Sequence, residues 1–153
     1  MSLQSTVNKQ LAFGVVGSFY DDSPRRVAPY VVQAGQIGYA YTVNASDPTQ
    51  ATVGGTGAFA GIAVNSKEYP ITGLDASLAF LPGANAQLCT MGHVLVNSTT
   101  AITVGMAAFY EQATGKIQAA TSGSSVSGWT EIPNSQFIFV SGEANTIGVL
   151  QLG

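Results

Sequence analysis

Short apolar or alternating runs, cut every few residues by glycine, proline or Asn/Asp turns, fill this sequence. No window of a dozen residues carries a helical apolar period. A helix needs apolar positions three and four apart over several turns, whereas strands of four to eight residues need only alternation or a brief apolar run between turn signals. The sequence therefore predicts an all-β chain: a compact sandwich or barrel of short strands with an extended N-terminal arm.

The clearest strands are residues 26–32 (RVAPYVV), 38–43 (GYAYTV), 59–64 (FAGIAV), 136–140 (QFIFV) and 146–152 (TIGVLQL). Pro29 lacks an N–H to give to a ladder, so the first of these belongs at an edge or a bulge. Residues 86–90 and 93–97 read as two strands across a Met91-Gly92 turn, and residues 106–110 and 116–119 as two more joined at Thr114-Gly115. Residues 44–56 and 65–73 read as loops, and 122–127 as a flexible connector. In 136–140, Phe137 and Phe139 fall on one face and Ile138 and Val140 on the other, so both faces are expected to be covered. The last strand is expected to be tied into a sheet.

Residues 11–32 stand out. An apolar run leads into Asp21-Asp22-Ser23-Pro24, then Arg25-Arg26, then a second apolar run. Two internal glycines, Gly14 and Gly17, argue against a helix before the turn. Asp side chains can accept from nearby backbone N–H groups and Pro24 fixes its own φ, so 21–24 is a turn with a mechanism. The sequence reading places an arm over residues 1–20 and a single β domain over 21–153, with the turn where one leaves the other. Asp21 and Asp22 are read as turn acids pairing locally with Arg25 or Arg26. Leu3, Val7, Leu11, Phe13, Val15, Phe19 and Tyr20 are the candidate anchors for contact with a partner, together with Asp21, Asp22, Arg25 and Arg26.

Composition narrows function. With 153 residues and 46% apolar content, the chain can bury a core. Charged residues make up only 8%, against roughly 25% in an ordinary soluble domain. So few charges give little repulsion between neighbours, which favours an oligomer or a component of a larger assembly. Five Lys and Arg in total are too few for a phosphate-tracking surface, so no nucleic-acid partner is expected. No apolar run reaches the roughly 18 residues of a membrane span, and no signal-peptide cleavage pattern follows residues 11–20, so a chain made in a cytoplasm without processing is expected.

Catalytic chemistry finds little to stand on. His93 is the one histidine and reads as a strand residue near a turn. Cys89, the one cysteine, reads as a small buried hydrophobe. No nucleophile elbow, phosphate-binding loop or spaced metal-ligand set appears. No catalytic residue, metal or cofactor is expected.

The order and spacing of AFGVVGSFYDDSPRRVAPYVV, IGYAYTV, GAFAGIAVNSKEY, MGHVLVN, VGMAAFYEQATGKI and the Gly-Val-Leu-Gln-Leu end resemble the structural cement proteins of tailed bacteriophages over almost the whole chain. The resemblance implies a β-rich capsid decoration protein on the outer capsid surface of the virion, made in the host cytoplasm. It would bridge major capsid protein subunits and stabilise the mature shell, as a homotrimer in preference to a homodimer, without catalysis. The competing reading is a glycan- or receptor-binding β module of a virion or adhesin, using some of the six tyrosines and one tryptophan for stacking.

Overall fold

A computed structural model describes residues 15–64 and 79–153. Ten strands are present among them: β1 (Arg26–Val32), β2 (Ala40–Val43), β3 (Gln50–Val53), β4 (Phe59–Val64), β5 (Ala84–Ser98), β6 (Ala107–Glu111), β7 (Ile117–Ala120), β8 (Trp129–Glu131), β9 (Ser135–Ile138) and β10 (Thr146–Leu152). The described residues contain no helix. The all-β expectation is borne out, and the architecture is a closed five-strand barrel with further strands outside it.

The barrel runs β1-β3-β2-β4-β5 and closes where β5 pairs with β1. All its pairs are antiparallel except β1 with β3. Its core is narrow: Ala51, Ala60, Ala63 and Ala86 surround Tyr41, Leu88 and Val32. Five strands enclose little room, so small side chains line most of it. Tyr41 is buried, and its hydroxyl donates to the Ala34 carbonyl at 3.2 Å. Burial pushes its phenol pKa well above the ordinary value. Gly61 is required where β4 meets β5. A Cβ there would sit 2.8 Å from the Cys89 carbonyl and 2.9 Å from the Leu88 Cβ, and its φ is +141°.

β5 is the spine. Its first half pairs with β1 and β4, and its second half pairs with β10 from Gly92 to Ser98. At roughly 3.3 Å per residue its 15 residues reach about 50 Å, long enough to serve both sheets. The second sheet runs β9-β10-β5-β7-β6-β8. It curls until Phe137 of β9 donates its N–H to the Met106 carbonyl at 2.8 Å. A larger core fills it, from Cys89, Val94 and Val96 on β5 to Tyr110, Ile117, Ile132, Phe137, Leu150 and Leu152. β4 sends Ala60 and Ala63 to the barrel core and Ile62 and Val64 to this one, which explains its unbroken apolar run.

Three local expectations are corrected. Met91-Gly92 is not a turn between two strands: β5 passes through it, and Gly92, at φ +133°, takes up the change from one sheet to the other. Residues 44–56 hold β3 as well as the turn at Asp47, whose carboxylate accepts from the Thr49 N–H at 2.9 Å. The strand containing Phe137 stops at Ile138, so Phe139 does not share Phe137's buried face. Pro29 lies where expected. It faces Gln87 of β5, and β1 gains β3 as a second partner only at Val31 and Val32.

Candidate functional site

Residues 17–20, assigned to the arm from sequence, run beside the second half of β5. The Gly17 N–H donates to the Leu95 carbonyl at 2.8 Å, Leu95 N–H to the Ser18 carbonyl at 2.9 Å, and Tyr20 N–H to the His93 carbonyl at 2.9 Å. From Phe19, opposite Val94, to Arg26, opposite Met91, this chain advances seven residues while β5 advances three. The excess loops out as the Asp21–Pro24 turn. Leu3, Val7, Leu11 and Phe13, with most of the expected arm, lie outside the described residues.

The turn acid has a different partner from the one expected. Asp21 Oδ2 lies 2.7 Å from His93 Nδ1, 72 residues away, and Oδ1 accepts from the Ser23 N–H at 3.1 Å and from its hydroxyl. Among the described residues neither Arg25 nor Arg26 forms an ion pair. Instead the Arg25 guanidinium sits 4.4 Å above the Phe19 ring. Local pairing fails because the carboxylate turns toward β5, where Gly92 leaves room: a Cβ there would lie 3.1 Å from the Arg25 Cβ and 3.7 Å from the Phe19 ring. The Ser23 hydroxyl and then His93 hold the Asp21 carboxyl at a pKa of about 2, below the ordinary carboxylate value.

Above this pair lies an aromatic cluster. Phe139 is 60% exposed, and its ring packs 5.2 Å from Tyr20 and edge-on 5.8 Å from His93. Its φ is +67°, and the Val140 N–H donates across it to the Ile138 carbonyl at 2.8 Å. That is the positive-φ γ-turn, a strained conformation seldom used by a bulky side chain. Phe19 is half-buried against the larger core, Tyr20 is 39% exposed, and Val15, Asp22, Arg25 and Arg26 are exposed. The fold thus gathers Phe19, Tyr20, Asp21 and Arg25 with two residues that the sequence reading did not include, His93 and Phe139. Contacts spanning 72 residues have no local signature, and alternation alone places Phe139 with the buried Phe137.

Cys89 is fully buried, its Sγ lies 3.0 Å from the Met91 carbonyl, and burial pushes its thiol up, away from the reactive thiolate. Among the described residues no group of three or more His, Cys, Asp or Glu side chains could hold a metal ion. A cleft of about 180 Å³ lies elsewhere, lined by Tyr39, Asn97, Thr99, Lys116, Ile117 and Asn145.

Comparison with known proteins identifies the family. The model of the family described as "Structural cement protein (E217 gp24/Pam3 gp6)" matches residues 3–153. The chain belongs to the phage structural cement proteins, a family with a capsid-stabilising structural role. In fold it is similar to a chain in the solved structure titled "The capsid of Myoviridae Phage XM1". The TM-score is 0.72 at 17% identity, covering 100% of this chain and 98% of that one. Comparison with curated proteins finds no match.

Proposed function

We propose that this protein binds the outside of the viral head, bridges neighbouring major capsid protein subunits and stabilises the mature shell, without catalysing a reaction. The family match along residues 3–153 carries the reading. The weakly charged composition and the exposed Tyr20–Phe139 cluster, neither of which suits a reaction, support it. Many modest contacts repeated over a shell add up, so each copy needs only a standard interface. A homotrimer is the favoured assembly, followed by a homodimer, because shells offer symmetric sites to closed oligomers.

The test adds purified protein to mature heads that lack it and measures their resistance to heat. A raised disruption temperature at saturation is expected, and no change would sink the proposal. Removing residues 1–10 is expected to weaken head binding while leaving the β-rich circular dichroism spectrum. Unchanged binding would remove the arm from the mechanism.

A further inference from the structure

We propose that the shell docks on the surface centred on Phe139 and Tyr20, with Arg25 at its rim, and that the shell surface opposite is an apolar recess edged by a carboxylate. The inference rests on the capsid-binding reading and adds to it the contact surface and its complement.

Three observations carry it. First, Phe139 is more exposed than any other large apolar side chain described, and it occupies a conformation that a phenylalanine avoids. A strained, largely exposed aromatic gains the free fold only its modest contacts with Tyr20 and His93, and such backbone outliers cluster at functional sites. Second, the aromatic pair is held from beneath. Tyr20 packs tilted against Phe139, His93 meets it edge to face, and Asp21 fixes His93. An anchor already in its bound geometry loses little freedom on docking. Third, charge specifies the complement. Arg25 is exposed, lies over Phe19 and has no carboxylate partner among the described residues. An exposed guanidinium at the rim of a docking surface is best complemented by a carboxylate on the occupant, which it can bind through two parallel N–H donors. Aromatic and arginine side chains are also the types that dominate interface energetics.

The experiment measures binding of the full chain and two variants, Phe139→Gly and Arg25→Gln, to mature heads that lack the protein. Glycine adopts positive φ freely, so Phe139→Gly removes the ring without straining the turn. Circular dichroism and thermal midpoints establish that both variants fold. Phe139→Gly is expected to bind roughly thirtyfold more weakly, the loss of one hot-spot side chain. Arg25→Gln is expected to bind several-fold more weakly, with a shallower dependence on salt. If the wild-type chain binds heads and both folded variants match it, this surface is wrong while the cement reading stands. If the wild-type chain does not bind heads, the cement reading falls first. If Phe139→Gly changes the mass of the protein in solution while head binding is unaltered, the occupant is a second copy and the proposal is overturned.

Discussion

Phe137 and Phe139 stand two residues apart in QFIFV, and alternation treats them alike; the structure assigns them opposite energetic roles. Phe137 is fully buried in the larger core, where its ring lies against the position of Gly148. Truncating it to alanine removes a buried ring and leaves a cavity that neighbouring strands cannot close, at a cost of about 3–5 kcal/mol. For a domain of this size each kcal/mol moves the thermal midpoint by roughly 2–4 °C, so Phe137→Ala is expected to lower it by roughly 6–20 °C. Phe139 is 60% exposed, and its truncation removes chiefly its tilted ring contact with Tyr20, worth about 0.5–1.5 kcal/mol. Urea unfolding of the two variants, with unchanged m-values, gives the comparison directly. Equal losses would mean that β9 continues through Phe139 and that the exposed aromatic surface does not exist.

Three further outcomes follow from the same geometry. The Asp21 carboxyl, at about 2 when folded against 3.8 unperturbed, binds fewer protons folded than unfolded between those values, so its contribution is complete above about pH 4 and lost as pH falls toward 2. The stability difference between wild type and Asp21→Asn should therefore shrink as pH falls from about 4 toward 2; a difference that grows over that range would refute the assignment. Gly61→Ala is expected to destabilise by roughly 1–3 kcal/mol or more, because its Cβ would meet the Cys89 carbonyl at 2.8 Å; an unchanged urea midpoint would deny the close approach of β4 and β5. Cys89 should resist iodoacetamide at neutral pH until the chain unfolds, and mass spectrometry showing rapid alkylation of the native protein would contradict its burial.

The fold was legible where strands bury enough side chains to leave a pattern. β4 and β10 lie at the residues their apolar runs predict, because each is anchored along buried side chains; β1 also lies where its run predicts, although only Val32 at its end is buried. β3 and β8 were not legible. β3 buries only Ala51, and all three residues of β8 are half-buried, so neither imposes a period. Gly92 was read as a turn because a glycine after a methionine says nothing of how many sheets its strand serves. The proposed contact surface was half legible. Asp21 and Arg25 drew notice as charges in a chain with few, and Tyr20 as an aromatic beside them. Their partners come from β5 and from the end of β9, brought in by tertiary pairing alone.

That origin bears on how the surface works. His93 sits on the strand that both sheets share, between Gly92 and the buried Val94, and Phe139 follows directly on the strand that buries Phe137. The exposed aromatic, the histidine behind it and the aspartate behind that are each one or two residues from a side chain fixed in the larger core or from a backbone hydrogen bond to β5. A displacement of Phe139 would have to disturb the packing of Phe137, and a displacement of His93 would have to disturb the pairing of β5 with β10. Closely packed interiors resist such shifts. If the shell docks here as proposed, a contact residue mounted in this way would spend little of its binding energy on becoming ordered, and the protein could grip with few charges and a small number of aromatic groups.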